Sequence, residues 1–161
     1  MAADTMPPEI IIGNHQDRVP IPEKWLTLLE AAAGLAVEMA RDHAADPDAP
    51  LFHLGGVDVA LVDDETSSRV HRDFMEIDGA TDVITFHHGE IVLGAEVAWR
   101  QAAEYGEPPL REILRYVVHG LLHLAGHEDA REDERARMES AQETIVASLW
   151  TPEMAAEEAA S

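Results

Sequence analysis

The sequence has no cysteine among its 161 residues, which excludes both disulfide bonds and thiolate metal sites. Any metal ion must therefore be bound by histidine and carboxylate side chains. No apolar run approaches the roughly 18–20 residues that a membrane-spanning helix requires. The first ten residues, MAADTMPPEI, lack the charged-then-apolar layout of a signal peptide. These absences predict a cytoplasmic protein without a membrane partner.

Positive charge is also scarce. Eleven Lys and Arg residues face 32 Asp and Glu residues, and Lys24 is the single lysine. The resulting formal net charge of −21 repels polyanions over most of the surface, at least at low salt. Non-specific nucleic-acid binding needs a basic face, which here could come only from a local cluster of arginines. We expect the acidity to serve mainly solubility or adaptation to salt.

Hydrophobic residues make up 46% of the chain, which is enough for one domain with a buried core. Alternating and β-branched segments predict four strands, over residues 9–13, 57–62, 81–86 and 90–94. Apolar residues at helical spacing predict five helices, over residues 22–43, 65–75, 95–105, 109–125 and 130–150. Because these elements do not alternate strictly, the sequence predicts an α+β domain with a small mixed sheet of about four strands flanked by helices.

Several details of this fold are predicted as well. The HHG turn predicts an antiparallel hairpin between the last two strands. Asp64 is the predicted N-cap of the second helix, with Val70 and Phe74 facing inward. The domain is expected to span residues 9–151, between a disordered N-terminus at 1–8 and a disordered acidic tail at 152–161.

The stretch from His119 to Asp129 reads HGLLHLAGHED and has the spacing of a metal site. His119 and His123 are four residues apart on one helix face, so both imidazoles can reach one ion. Gly126 is a natural helix terminator, and a residue beyond it could approach the same ion from a third side. That third ligand could be His127 or Asp129. Zinc is the default metal for imidazole ligands, and three protein ligands leave a position for a catalytic water.

The stretch HGLLHLAGHED resembles the signature H-G-x-L-H-L-x-G-Y-D-H of the YbeY family of bacterial metal-dependent endoribonucleases. The family's upstream block, N-x-x-Y-R-x-x-D-x-x-T-D-V-L-S-F, is matched from His71 by HRDFMEIDGATDVITF. Its G-D-I segment is matched by GEI at residues 89–91. The order and approximate spacing agree from about Val57 to Met138, which is half of the chain.

This resemblance implies an α+β fold and a single-strand-specific endoribonuclease with one zinc ion. It also implies a role in ribosomal RNA maturation and in quality control of the small ribosomal subunit. The expected partners are ribosomal RNA or the small subunit, with ribosomal proteins as further candidates and no DNA. The alternative is a ribosome-assembly or binding factor with a structural metal and weak or no nuclease activity.

Two departures from the family pattern bear directly on metal binding and on catalysis. The family binds zinc through three histidines, at positions that correspond here to His119, His123 and Asp129. The aligned position and the suitability of a carboxylate as a zinc ligand favour Asp129 as the third ligand, with His127 as the alternate. The family's arginine, thought to hold the RNA phosphate, is replaced by Met75, which cannot make a bidentate phosphate contact.

Three further residues are candidates for substrate binding. Arg72 precedes Met75 by roughly one helical turn and could compensate for the missing arginine; otherwise it is a surface residue. His71 stands where the family has asparagine and could contact substrate or form a hydrogen bond across the cleft; otherwise it is a surface or cap residue. Asp82 borders the loop into the third strand, where turn formation and strand entry are the alternative roles.

Gly120 occupies the position at which H-E-x-x-H zinc proteases have a glutamate that takes the proton from the metal-bound water. Because glycine has no side chain, peptidase activity is disfavoured and no side-chain base is assigned. A glycine there would let a neighbouring segment or a bulky substrate approach the helix closely. We therefore expect zinc-assisted phosphodiester hydrolysis, with the metal-bound water or a 2′-hydroxyl as nucleophile.

Overall fold

A computed structural model describes residues 6–160. The four strands in this part of the chain are β1 (Glu9–Asn14), β2 (Gly56–Val62), β3 (Val83–Phe86) and β4 (Glu90–Gly94). The α-helices there are α1 (Glu23–Asp42), α2 (Asp64–Met75), α3 (Ala95–Tyr105), α4 (Pro109–Leu124), α5 (Glu132–Leu149) and α6 (Pro152–Ala160). A short 3-10 helix at Pro50–Phe52 precedes β2.

The strands form one mixed sheet in the order β1-β2-β4-β3. β1 pairs with β2, and β2 with β4, in parallel. β3 and β4 form the predicted antiparallel hairpin, closed by a turn in which Gly89 has a φ of +107°. Parallel neighbours need a crossover, and α1 and α2 lie in the two segments that provide them. The predicted α+β class with a small mixed sheet flanked by helices is confirmed.

Helix α4 lies at the centre of the core. It contacts α1, α3 and α5 as well as the sheet strands β3 and β4. Its apolar face is fully buried over four turns, through Leu110, Ile113, Leu114, Val117, Val118, Leu121 and Leu122. Each such side chain contributes roughly 1.5–3 kcal/mol when it is buried, so the helix is held firmly on several sides.

Gly120 allows α4 to lie close against the sheet. A Cβ atom at this position would come 2.7 Å from Cδ1 and 2.9 Å from Cγ2 of Ile91, which is completely buried in β4. The segment that approaches this glycine is therefore a neighbouring strand.

Helix α2 differs from its prediction in two respects. Its N-cap is Asp63, whose carboxylate accepts a hydrogen bond from the Thr66 amide at 2.8 Å. Asp64 is instead the first helical residue and forms an ion pair with Arg100. Phe74, predicted to face inward, is 67% exposed, because its ring meets the sheet only edge-on at Phe86 of β3, whereas Ser67 is buried and half-buried Val70 packs against the sheet.

The C-terminal segment also differs from its prediction. Residues 152–160 form α6 rather than a disordered tail. Met154 is 2% exposed, and Glu158 accepts a hydrogen bond from the Leu110 amide at 3.2 Å, at the start of α4. These two contacts hold an otherwise acidic, alanine-rich segment against the domain, which explains why it is helical rather than disordered. Of the N-terminus predicted to be disordered, residues 6–8 have no regular structure, and residues 1–5 lie outside the described part, as does 161.

Within residues 6–160, no helix is both long and apolar enough to cross a membrane.

Candidate metal site and adjoining cleft

Two histidines and one carboxylate converge where α4 ends. His119 and His123 lie on its last two turns, and Asp129 lies in the loop before α5. Asp129 Oδ2 is 3.5 Å from His123 Nε2 and 3.7 Å from His119 Nε2. One ligand atom from each of the three lies within 4.8 Å of the others, and this group could hold a metal ion. The structure thus brings together the three residues that the sequence favoured.

The turn that delivers Asp129 requires glycine at position 126. Gly126 has a φ of +97°, which side-chain-bearing residues rarely adopt. A Cβ atom there would also come 2.8 Å from Cβ of Asp46. The amide of His127 donates to the Leu122 carbonyl at 3.0 Å, which folds the chain back over the helix end. The turn therefore brings the following loop toward the two histidines.

Both histidines are oriented by hydrogen bonds at Nδ1. His119 Nδ1 lies 2.8 Å from Gln142 Oε1, and His123 Nδ1 lies 3.0 Å from the His127 carbonyl oxygen. Since each of these oxygens accepts, each Nδ1 carries the proton and each Nε2 presents a lone pair toward Asp129. This is the arrangement that metal-binding histidines usually have.

Gln142 was not anticipated from the sequence. It lies on α5, is 8% exposed, and its Nε2 donates to Glu143 Oε2 at 3.0 Å. The available signal is a polar residue beside Ala141 on the face of α5 that also carries Met138 and Ile145. A buried amide on an otherwise apolar helix face indicates a specific hydrogen-bond partner.

His127, the alternate third ligand, points away from the group. The residue is 7% exposed, and its Nε2 lies 2.6 Å from the His43 carbonyl oxygen. Only its backbone contributes to the site, through the carbonyl that orients His123.

The electrostatic environment keeps His119 in the form that binds metal. Burial lowers the pKa of His119 below its ordinary value, and the nearby His123 lowers it further. A histidine must be neutral at the ligating nitrogen, so this shift favours metal binding at neutral pH.

Two lobes of a cleft meet at the candidate metal site. Both lobes are lined by Asp82, Val83, His119 and Asp129. The larger lobe, of about 450 Å³, also includes His71, Met75, Thr81, Ile84, Thr85, His87, His123 and Glu128. The smaller lobe, of about 230 Å³, also includes Gln101, Glu112, Arg115, Tyr116, Arg135, Met138, Glu139 and Gln142.

The three candidates for substrate binding differ in where they lie. Asp82 lines both lobes, and its Oδ1 accepts a hydrogen bond from the Val83 amide at 2.7 Å. His71 lines the larger lobe, with Nδ1 2.9 Å from the Gly79 carbonyl oxygen. Arg72 lies outside the lining of both lobes, and its Nε is 3.7 Å from Asp73. The structure therefore does not bring Arg72 to the cleft.

Positive charge in the cleft comes from two arginines. Arg115 contacts Glu107, Glu112 and Glu143. Although burial opposes it, these carboxylates raise the pKa of Arg115 above its ordinary value. Arg135 Nε donates to the Asp129 carbonyl at 3.4 Å, and no carboxylate in the described part of the chain forms an ion pair with it. Arg115 is thus neutralised by its neighbours, and Arg135 is not.

The fold and this site place the chain among α+β proteins with a potential metal site at the end of a core helix. The family model for Endoribonuclease YbeY matches residues 11–150. The chain therefore belongs to the YbeY endoribonuclease family, whose members are hydrolases that cleave RNA.

Individual relatives agree with this assignment. The endoribonuclease YbeY of Carboxydothermus hydrogenoformans is 32% identical, with 86% of this chain and 95% of that protein covered. That of Symbiobacterium thermophilum is 33% identical, with 88% and 97% covered. A solution structure of a Thermotoga maritima protein has a TM-score of 0.57 and 24% identity, with 88% and 89% covered, and it supports the fold alone.

Proposed function

We propose that this protein is a zinc-dependent, single-strand-specific endoribonuclease of the cytoplasm, acting in ribosomal RNA maturation and small-subunit quality control. The observation that carries the proposal is the convergence of His119 Nε2, His123 Nε2 and Asp129 Oδ2 where the two lobes meet. Family membership supports the RNA substrate. The proposed partners are ribosomal RNA and the small subunit.

The donor set fits zinc. Nitrogen and oxygen ligands at about 2.0–2.2 Å from a tetrahedral ion are roughly 3.2–3.6 Å apart. The separations of 3.5 and 3.7 Å between the carboxylate oxygen and the two imidazole nitrogens are close to this range. When bound, the ion would supply the Lewis acidity that promotes phosphodiester hydrolysis.

The chain's own residues would position the substrate around this centre. His71 and Asp82 are proposed to contact the RNA strand, because both line the larger lobe beside His123. Arg135 is proposed to contact a phosphate from the smaller lobe, since its guanidinium is free of carboxylates in the described part of the chain. These contacts would orient the strand for cleavage. Gly120 stands where zinc proteases have their glutamate general base, so the chain has no such base at this position.

The ligand assignment is tested by metal analysis of purified variants together with cleavage of single-stranded and double-stranded RNA. Asp129→Ala is expected to lose most of its metal and its activity, because its carboxylate is one of the three proposed protein ligands. His127→Ala is the matched control: its ring contacts the His43 carbonyl, so bound metal should be retained. Full metal in Asp129→Ala together with loss in His127→Ala would show that the assignment is wrong.

A second candidate function is a ribosome-assembly factor in which the metal is structural. Met75 supports it, because this residue lines the larger lobe at the position of the family's phosphate-binding arginine. In that case the metal-loaded protein would bind the small subunit without cutting its RNA, and Met75→Arg would gain cleavage. Efficient cleavage by the wild type rules this candidate out, because the candidate has weak or no nuclease activity.

A further inference from the structure

Three large apolar side chains are exposed together beside the cleft. Phe74 is 67% exposed, Met75 52% and Ile77 49%. We call these three residues, at the end of α2 and just beyond it, the apolar rim. Met75 also lines the larger lobe together with His119, His123 and Asp129, so the rim borders the candidate metal site through Met75. Large apolar side chains that are exposed within four consecutive residues and border a cleft are a candidate binding surface.

Phe74, the aromatic residue of the rim, packs against a second aromatic ring. The Phe74 ring meets the Phe86 ring edge-on, with centroids 5.2 Å apart and an interplanar angle of 80°. Phe86 in turn stacks on His88, with centroids 5.6 Å apart and an angle of 25°. Phe86 is half-buried and packs against Val62, Ile84 and Val92 of the sheet. An exposed aromatic ring that is held in place by packed side chains is suited to stacking against another flat ring.

Charge decides which part of an RNA strand this surface can bind. The formal net charge is −21, and the cleft itself carries the carboxylates of Asp82, Glu128 and Asp129. Phosphate contacts therefore contribute little on this side of the metal site, where no arginine lines the larger lobe. Base stacking on aromatic and apolar side chains needs no positive charge and is accessible only in unpaired RNA.

We propose that the apolar rim binds an unpaired nucleobase of the substrate RNA adjacent to the cleaved bond. This inference rests on the proposed function for the identity of the substrate, and it provides a physical reason for single-strand preference. In a duplex the base faces are stacked within the helix, so the rim has nothing to contact. Recognition through bases replaces the ionic contact that Met75 cannot make.

The test compares binding of a short, fluorescently labelled single-stranded oligoribonucleotide with that of an abasic strand of equal length. The protein is kept metal-loaded, and gel electrophoresis of each sample confirms that the RNA is still intact when binding is recorded. Phe74→Ala and Met75→Ala should bind RNA roughly 5- to 100-fold more weakly, whereas the abasic strand should bind weakly to all forms. Tyr105→Ala is the matched control, because Tyr105 is 69% exposed and lies outside both lobes. Met75→Leu should retain most of the affinity.

Salt dependence separates stacking from phosphate contact. The log–log slope of wild-type binding against sodium chloride should not exceed roughly 0.7 in magnitude, the value for one phosphate contact on a single strand, because Arg135 is the single proposed phosphate contact, and Met75→Arg should add about the same amount again. A steep wild-type slope, or equal affinity for RNA and abasic strand, would overturn the proposal. So would rim variants that bind RNA normally and fail only to bind the small subunit, since the rim would then contact protein.

Failure of this inference is distinguishable from failure of the proposed function. If zinc-loaded wild type cleaves single-stranded RNA while Phe74→Ala and Met75→Ala bind it normally, only the role of the rim is wrong. If the wild type neither binds nor cleaves single-stranded RNA, the rim proposal and the endoribonuclease proposal are both wrong.

Discussion

Two glycines inside helices meet different surroundings, and alanine should affect them in opposite directions. A Cβ atom at Gly34 of α1 meets nothing within 4 Å, so Gly34→Ala should raise the free energy of unfolding by about 0.5–1 kcal/mol. At Gly120 the new atom would overlap Ile91, and overpacking costs roughly 1–3 kcal/mol. We expect Gly120→Ala to lower the free energy of unfolding by about 1 kcal/mol in urea denaturation.

Ile91→Val provides the corresponding check, because it removes the Cδ1 atom that lies closest to the added methyl group. The double variant should lose less stability than the sum of the two single changes. Equal stabilisation by Gly34→Ala and Gly120→Ala would show that α4 does not lie as close to β4 as described.

Gln142 should matter for metal affinity more than for stability. Its Oε1 accepts the hydrogen bond from His119 Nδ1 and so orients the imidazole. Loss of such an outer contact typically weakens metal binding by about 10- to 100-fold, which is the effect expected for Gln142→Ala in competition with a chelator. Gln101→Ala is the control: Gln101 lines the same smaller lobe, but no hydrogen bond to a candidate ligand is found for it in residues 6–160. Similar losses in both variants would argue against this role.

At the scale of elements, α2 depends on its N-cap. Asp63 accepts a hydrogen bond from Thr66, and this contact lowers the pKa of Asp63 below its ordinary value of 3.8. Asp63→Ala should therefore cost about 1 kcal/mol near neutral pH. Because the folded-state pKa lies below the unfolded one, the contribution is present above about pH 4 and is lost as pH falls through the folded pKa. Urea denaturation across this pH range measures it.

Two neighbouring changes check the assignment of the cap. Asp63→Asn keeps an accepting oxygen without the titration, so it should retain much of the stability and lose the acid dependence. Asp64→Ala should cost less than Asp63→Ala, because the ion pair with Arg100 is partly exposed and such pairs contribute little. The reverse order would favour Asp64 as the cap, as the sequence predicted.

At the scale of the whole molecule, the charge opposes folding. A formal net charge of −21 makes the compact state repel itself, and salt screens that repulsion. The free energy of unfolding in urea should rise with sodium chloride at neutral pH. Near the sequence isoelectric point of about 4.5 the effect should disappear. A salt effect of equal size at both pH values would indicate ion-specific stabilisation rather than relief of repulsion.

The elements that were predicted well are those with strong internal periodicity. The apolar stripe from Leu110 to Leu122 predicted α4, because burial on one helix face leaves a direct trace in the sequence. The predictions were wrong where the local sequence pattern was weak and a tertiary contact or the backbone conformation determined the structure. Asp63 and Asp64 are both good caps by composition, and only the backbone conformation selects between them. The composition of the segment after Pro152 predicts a solvated tail, whereas in the structure Met154 is buried and Glu158 accepts a hydrogen bond from Leu110.

The sequence by itself determined that His119 and His123 share one helix face, because a spacing of four residues has this consequence in any helix. It also determined the family, the absence of thiolate ligands and the acidity. Only the tertiary structure decided that Asp129 joins the histidines while His127 turns away, since that depends on the path of the chain after Gly126. The contact of Gln142 with His119 likewise required α5 to pack beside α4, because residues 23 positions apart in sequence meet only through packing.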